Sequence, residues 1–226
     1  MKPIINKSLI LTALLFPVLS LAHDVTQADQ LILNSGNLLS YVQVGATHML
    51  TGYDHLLFLL GVIFFLKNIP DILKFITAFT LGHCLTLITG TYLGWQVNEF
   101  LIDGIIALSV VYKGVENLGG IKKILGRKAP HLLIMVGIFG LIHGLGLSTR
   151  LQSFNIGTES VLLKILSFNL GVELGQIIAL IPIIILLQWW RRLASFPAFY
   201  KAANTYLVLA GIFLFLWQVW LWMSSL

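Results

Sequence analysis

The chain has 226 residues, of which 58% are hydrophobic and only 10% are charged. A soluble domain carries about 25% charged residues, so this composition excludes a soluble globular protein and predicts one embedded in a lipid bilayer. The formal net charge of +5 comes from bases spread over short loops, which does not indicate a nucleic-acid partner. A single cysteine, Cys84, excludes an intramolecular disulfide and a cysteine-based zinc site.

Residues 1–22 are typical of a secretory signal peptide. Two lysines, Lys2 and Lys7, flank the start of the chain, and the apolar stretch LILTALLFPVL follows them. The sequence Ser-Leu-Ala that ends at Ala22 has the small-x-small pattern of a cleavage site. The alternative is an uncleaved first membrane helix, although the apolar stretch is short for a span.

Residues 23–49 are predicted to form an external segment that includes an interfacial helix. Four apolar residues of this segment can share one helical face: Leu31, Leu38, Leu39 and Val42. The remainder, residues 50–226, is predicted to be one membrane domain. We therefore predict an all-α, polytopic bundle of about six transmembrane helices, namely residues 50–67, 72–93, 97–118, 131–150, 160–189 and 201–224.

The loops between these spans predict the orientation of the bundle. Ten basic residues fall on one side of the membrane: Lys67, Lys74, Lys113, Lys122, Lys123, Arg127, Lys128, Arg191, Arg192 and Lys201. The other side has Arg150 and Lys164. The positive-inside rule assigns the ten to the cytoplasm of a bacterial-type inner membrane. The mature N-terminus and the C-terminus then both lie outside, in agreement with a cleaved signal peptide.

Ionisable residues recur inside the apolar segments, where they are costly and usually functional. They are His48, Asp54, His55, His83, His143 and Glu173. On a continuous helix His48 and His55, seven residues apart, share a face, and Asp54 points about 100° away. Asp54 could still join the site if Gly52 loosens the helix, or it could orient His55. The alternative for the histidines is hydrogen bonding to backbone, lipid headgroups or other helices.

Other polar residues extend this set into a path from the outer side towards the middle of the membrane. Asn169 and Gln176 form one stripe with Glu173 on the fifth span. Asp103, near the outer end of the third span, stays open between a ligand, a proton carrier and a solvated acid, whereas Glu99 is interpreted as solvated. Gly140 and Gly144, a small-xxx-small pair, predict close approach of another helix beside His143.

We predict that these groups hold one divalent transition metal, because imidazole and carboxylate suit nickel, zinc, cobalt or iron(II). Specifically, His55, His83, His143 and Glu173 would converge, with His48 and Asp54 at the outer entrance. Cys84 lies beside His83 in sequence but about 100° round the helix.

Four stretches together resemble a known family. THMLTGYDHLLFLLG, AFTLGHCLTL, GLIHGLGLS and FNLGVELGQ are similar, in this order, to blocks of the hydrogenase/urease accessory membrane proteins, the HupE/UreJ family. The resemblance covers about residues 40–180. It implies binding or transport of nickel, or of cobalt, through the histidines, and a metallochaperone or nickel-enzyme maturation protein as partner. Two residues depart from the family pattern, since Met49 replaces a proline and Cys84 a serine.

Three functions compete. The first is a permease for a divalent metal, nickel before cobalt or zinc. The second is an intramembrane zinc hydrolase, in which Glu173 would be the general base. The third is an accessory protein that binds metal without transporting it. The inner halves of the spans, such as LLFLLGVIFFL, are almost wholly apolar, and this counts against simple transport.

Overall fold

The computed structural model describes residues 32–33, 37–66, 68–126, 129–153 and 160–226. The predicted signal peptide, the first part of the external segment and the bases Lys67, Arg127 and Lys128 lie outside the described residues. Within the described ranges the chain forms eight helices and no strand: α1 Leu38–Thr51, α2 Tyr53–Ile63, α3 Ile69–Leu93, α4 Glu99–Asn117, α5 Gly120–Leu125, α6 Leu132–Ser153, α7 Val161–Trp190 and α8 Phe196–Ser224. The predicted all-α membrane bundle is confirmed.

The number of spans differs from the prediction of six. Among the described residues, four helices are long and apolar enough to cross a membrane, namely α3, α6, α7 and α8. The predicted third span is the 19-residue helix α4, which carries four charged residues, Glu99, Asp103, Lys113 and Glu116. The predicted first span is represented by the 11-residue helix α2. Charge in one segment and a short helix in the other therefore account for the difference.

A break at Gly52 separates α1 from α2. Gly52 has an extended conformation, with φ −69° and ψ 108°, and it ends α1 and begins α2. The helix α1 packs along α7, where Gly45 and Gly171 allow the two backbones to approach. A Cβ atom on Gly45 would collide with the Phe168 carbonyl, and one on Gly171 with the Val42 carbonyl. The first histidine motif therefore lies at the junction of two helices that meet inside the bundle.

The helix α1 buries one face against α7 and leaves another exposed. Tyr41, Val44, Gly45 and Met49 are buried, whereas Leu38 is 40% exposed and Leu39 is 70% exposed. Leu31 lies outside the described residues, so the apolar face predicted for an interfacial helix stays a prediction. The described part of this segment is a helix of the bundle.

The helices α3 and α6 are in close contact through small residues, as predicted for Gly140 and Gly144. A Cβ atom on Gly140 would collide with the Phe79 carbonyl, and one on Gly144 with the His83 carbonyl. Thr86 adds a hydrogen bond across the interface, from its Oγ1 to the Leu141 carbonyl at 2.7 Å. This packing places the later histidines, one on each helix, within the same part of the bundle.

Polar contacts tie helix ends together at both ends of the bundle. At one end, Arg191 Nη2 donates to the Phe64 carbonyl at 2.9 Å and Asn117 Nδ2 donates to the Gly61 carbonyl at 2.8 Å. At the other end, Gln152 Nε2 donates to the Trp95 carbonyl at 3.0 Å. The first end lies beside most of the bases that were predicted to face the cytoplasm.

That basic end is less apolar than the sequence indicated. Lys113 is fully buried, pairs with Glu116 at 2.6 Å, and lies over the Phe65 ring at 3.9 Å from its centre. Asn117 also contacts Asn204, and Tyr200 donates to the Asn117 carbonyl at 2.8 Å. These polar side chains come from α4 and α8, so the apolar sequence of α2 alone did not reveal them.

Candidate metal-binding pocket

Three histidine rings stand side by side near the Gly52 break. His48, in the last turn of α1, and His55, in the first turn of α2, have ring centres 5.1 Å apart. The ring of His143, on α6, lies 4.8 Å from that of His55. The shared face predicted for His48 and His55 assumed a continuous helix, but here the break itself brings the two rings together.

These rings line one pocket together with carboxylates from two helices and an arginine. The complete lining comprises His48, Asp54, His55, Asp103, Ile106, His143, Gly146, Leu147 and Arg150. Four of the six predicted metal ligands are among these residues, along with Asp103, whose role was left open. The pocket therefore combines imidazole and carboxylate groups from three separated parts of the chain.

For His143, the hydrogen bonding shows which ring nitrogen carries the proton. Its Nδ1 lies 2.8 Å from the Phe139 carbonyl one turn earlier in α6. A carbonyl can only accept, so in the neutral ring Nδ1 carries the proton and Nε2 carries the lone pair. Nε2 is buried and has no hydrogen-bond partner among the described residues. A buried nitrogen of this kind is costly unless something else binds it.

Asp54 both lines the pocket and contacts a histidine. Its Oδ1 lies 2.8 Å from His55 Nδ1 and also accepts from the backbone N–H of His55. Asp54 stands in the first turn of α2, where the positive end of the helix dipole stabilises a carboxylate. Asp54 therefore lies where either role considered for it would place it, at the pocket and against the His55 ring.

His83 lies deeper and outside the pocket lining. Its Nδ1 is 2.8 Å from Asn169 Oδ1, and Asn169 Nδ2 donates to the Ile165 carbonyl at 2.9 Å, which orients the amide. The Phe79 ring packs against both His83, at 5.9 Å, and His143, at 5.3 Å. The Phe79 ring thus contacts both His83 and His143, and His143 lines the pocket.

The three polar residues predicted to form one stripe on α7 differ in burial. Asn169 and Gln176 are buried, and Gln176 Oε1 accepts a hydrogen bond from Thr80 at 3.4 Å. Glu173 is half-buried and does not line the pocket. The structure therefore does not bring Glu173 to the three clustered histidines. Cys84 is a free, half-buried thiol that is also outside the pocket lining.

An ion pair that the sequence analysis missed borders the pocket. Arg150 Nη2 lies 2.6 Å from Asp103 Oδ2, and Arg150 Nε lies 3.4 Å from Glu99 Oε2. From the sequence, we interpreted Arg150 only as a basic loop residue and Glu99 as a solvated acid. The available signal was spacing, since Arg150 follows His143 by seven residues on α6 and Glu99 precedes Asp103 by four on α4.

The family of the chain follows from a comparison over nearly its whole length. A sequence profile described as HupE / UreJ protein matches residues 23–226. The chain belongs to the HupE/UreJ family. The resemblance first noted over about residues 40–180 is confirmed and extends to both sides of that region. No curated protein and no solved structure matches the chain. Family membership and the apolar helices indicate a multi-pass membrane protein with an accessory or transport role for nickel or cobalt.

Of the four family-like blocks of this HupE/UreJ protein, the first and third contribute residues to the pocket lining and the second and fourth do not. The first block forms the α1–α2 junction, the second and third lie on the facing helices α3 and α6, and the fourth lies on α7. Met49, which replaces a proline of the family pattern, is buried near the end of α1, and the helix continues to Thr51. This departure therefore leaves α1 unbroken up to Gly52.

The described side chains are not arranged as a coordination sphere. Among them, no group of three or more His, Cys, Asp or Glu residues has the geometry to hold a metal ion. The pocket brings the donor atoms into one place without directing them all at a single point.

Proposed function

We propose that the pocket binds a divalent transition metal, nickel before cobalt or zinc, as the cargo of this HupE/UreJ protein. The observation that carries the proposal is His143. His143 donates one ring N–H to a backbone carbonyl, and its other nitrogen is buried without a hydrogen-bond partner among the described residues, a pattern usual for a metal ligand. A structural histidine of the core would normally satisfy both nitrogens.

The spacing of the rings supports the same conclusion. A metal–nitrogen bond of about 2.1 Å places the centre of a bound imidazole about 3.2 Å from the ion. Two imidazoles in a tetrahedral arrangement then have centres about 5 Å apart. The separations of 5.1 Å for His48–His55 and 4.8 Å for His55–His143 are close to that value, which is also within the range of ordinary ring packing. His48, His55 and His143, with Asp54, are the ligands that we assign.

We assign His83 a different role from the predicted one, and we no longer assign Glu173 as a ligand. His83 is oriented by Asn169 and, like Glu173, lies outside the pocket lining. We assign His83, with Asn169 and Gln176, to a deeper position on the path of the ion. The hydrolase alternative receives no support, because Glu173, its general base, is not at the pocket.

The proposal extends to location and partners. We place the protein in a bacterial inner membrane with both mature termini outside, because the bases of the described helices and loops cluster at one end of the bundle. A metallochaperone or a nickel-enzyme maturation protein would receive the metal on the cytoplasmic side. The buried Lys113–Glu116 pair at that end marks the polar groups nearest to the proposed exit.

Elemental analysis of the purified full-length protein tests the metal site. Wild type loaded with nickel should retain about one ion per chain after the excess is removed, whereas His143→Ala and His55→Ala should retain none because each removes a ligand. Cys84→Ser and His131→Ala are matched controls, since both residues lie outside the pocket lining and should leave the stoichiometry unchanged. A wild type without metal after loading with nickel, cobalt and zinc would contradict the proposal.

A further inference from the structure

The pocket that we propose as a cation site is itself lined by a positively charged side chain. Arg150 lines it together with the three histidines, and its side chain is only 11% exposed. An arginine remains protonated at any physiological pH. Its charge opposes that of a divalent ion in the same pocket, and the opposition is strong where little water screens it.

Two carboxylates hold Arg150, and they differ in exposure and depth. Asp103, at 2.6 Å from Nη2, has a side chain that is 13% exposed and lines the pocket. Glu99, at 3.4 Å from Nε, has a side chain that is 47% exposed and lies outside the lining. Since Glu99 precedes Asp103 by four residues on α4, the two acids form an inner and an outer position for one guanidinium.

We propose that Arg150 competes with the metal ion for Asp103 and thereby sets the affinity of the pocket. The proposal rests on the proposed function. When an ion occupies the histidines, Arg150 shifts its pairing from Asp103 towards Glu99, and Asp103 compensates the charge of the ion. When the ion leaves, Arg150 returns to Asp103. Arg150 is a positioning residue that makes binding reversible. Glu99 pairs with its guanidinium while the ion is bound.

Nickel affinity of the purified full-length protein tests this exchange. Replacing Arg150→Gln removes the competing charge, and the nickel dissociation constant should fall about tenfold, within the usual range for coupled sites. Arg150→Lys keeps the charge and should stay much closer to wild type. Glu99→Gln removes the outer acceptor, so nickel should bind about tenfold more weakly.

The double variant separates competition from a simple change of net charge. Under the proposal, Glu99→Gln weakens nickel binding in wild type. It has little effect in the Arg150→Gln background, because that protein has no guanidinium to pair with Glu99. An equal loss in both backgrounds would overturn the proposal. So would nickel binding by Arg150→Gln that is unchanged or weaker than in wild type.

Two further outcomes remain informative. If Arg150→Gln fails to fold, Glu99→Gln alone decides, because its exposed side chain can be changed without disturbing the core, and unaltered affinity would overturn the exchange. If wild type binds no nickel, binding that appears in Arg150→Gln would support the competition. Absence of binding in both proteins overturns this inference together with the proposed function, whereas binding by wild type alone overturns only this inference.

Discussion

The hydrogen bond to the Phe139 carbonyl determines which ring nitrogen of His143 can bind a metal ion. Because this carbonyl accepts from Nδ1–H at 2.8 Å, Nε2 keeps the lone pair, and in the described part of the chain this buried nitrogen has no hydrogen-bond partner. The same logic applies to His83, whose Nδ1 is held by an amide that is itself anchored to the Ile165 carbonyl. In both cases the protein specifies the tautomer of the ring, which is a common property of metal-binding histidines.

The pH dependence of nickel binding follows from this requirement for a lone pair. A histidine must lose its ring proton before it can coordinate, so protons and metal compete for the same nitrogens. Affinity should therefore fall as the pH is lowered, because a proton then occupies the nitrogen that the ion requires. Equilibrium binding measured between pH 5 and pH 8 checks the direction, and an affinity that rises on acidification would contradict histidine ligation.

The two groups of histidines should respond differently to substitution. His83→Ala should keep stoichiometric nickel in the purified protein, because His83 does not line the pocket, but it should lower uptake into vesicles. Asn169→Ala should act in the same direction and more weakly, since it leaves the ring in place without its orienting amide. Loss of bound nickel in His83→Ala would instead indicate that His83 belongs to the same coordination sphere as His143.

At the scale of the helix, the break at Gly52 is what assembles the first motif. Gly52 lies in extended backbone between α1 and α2, and its negative φ of −69° is accessible to any residue. A glycine is nevertheless required there because a Cβ atom would collide with Nδ1 of His55. The need is therefore for space beside the ring and not for an unusual backbone conformation.

Gly52→Ala should consequently impair the site. The added methyl group displaces the His55 ring and favours a continuous helix, so we expect nickel affinity to fall by about 10–100-fold, as when an orienting contact is lost. Gly137→Ala is a matched control, because its Cβ atom would meet only the Ala78 carbonyl at 3.8 Å, an ordinary contact. Equal affinities for the two variants would contradict this role for Gly52.

At the scale of the whole molecule, the bundle has two chemically distinct ends. One carries the histidine pocket with Arg150, and the other carries Lys113, Glu116 and Arg191 among buried polar contacts. The helices α3, α6, α7 and α8 connect the two ends, and their surfaces expose many large apolar side chains, as contact with lipid requires.

Reporter fusions can establish which end faces the cytoplasm. Lys122, close to the basic end, should be reported inside, and Leu226, which follows α8, should be reported outside. The reason is the concentration of bases beside Asn117 and Arg191, which the positive-inside rule assigns to the cytoplasm. A cytoplasmic signal at Leu226 would overturn both the orientation and the assignment of the pocket to the outer side.

The sequence alone determined the class of the protein and the family to which it belongs. Apolar runs and glycine pairs are properties of single segments. They therefore predict membrane helices and close helix packing without information on which helices lie next to each other. They also identified most residues of the pocket, because an ionisable group in an apolar segment is costly wherever the segment packs.

Only the tertiary structure decided which of those residues meet. Asp54, after the break at Gly52, lines the pocket, whereas His83 does not and instead packs against Phe79. The packing of α4 against α6 brings Asp103 to Arg150. Each outcome depends on how one helix is rotated and placed against another. Those arrangements are set by contacts between residues far apart in the chain, which helical spacing within a single segment does not contain.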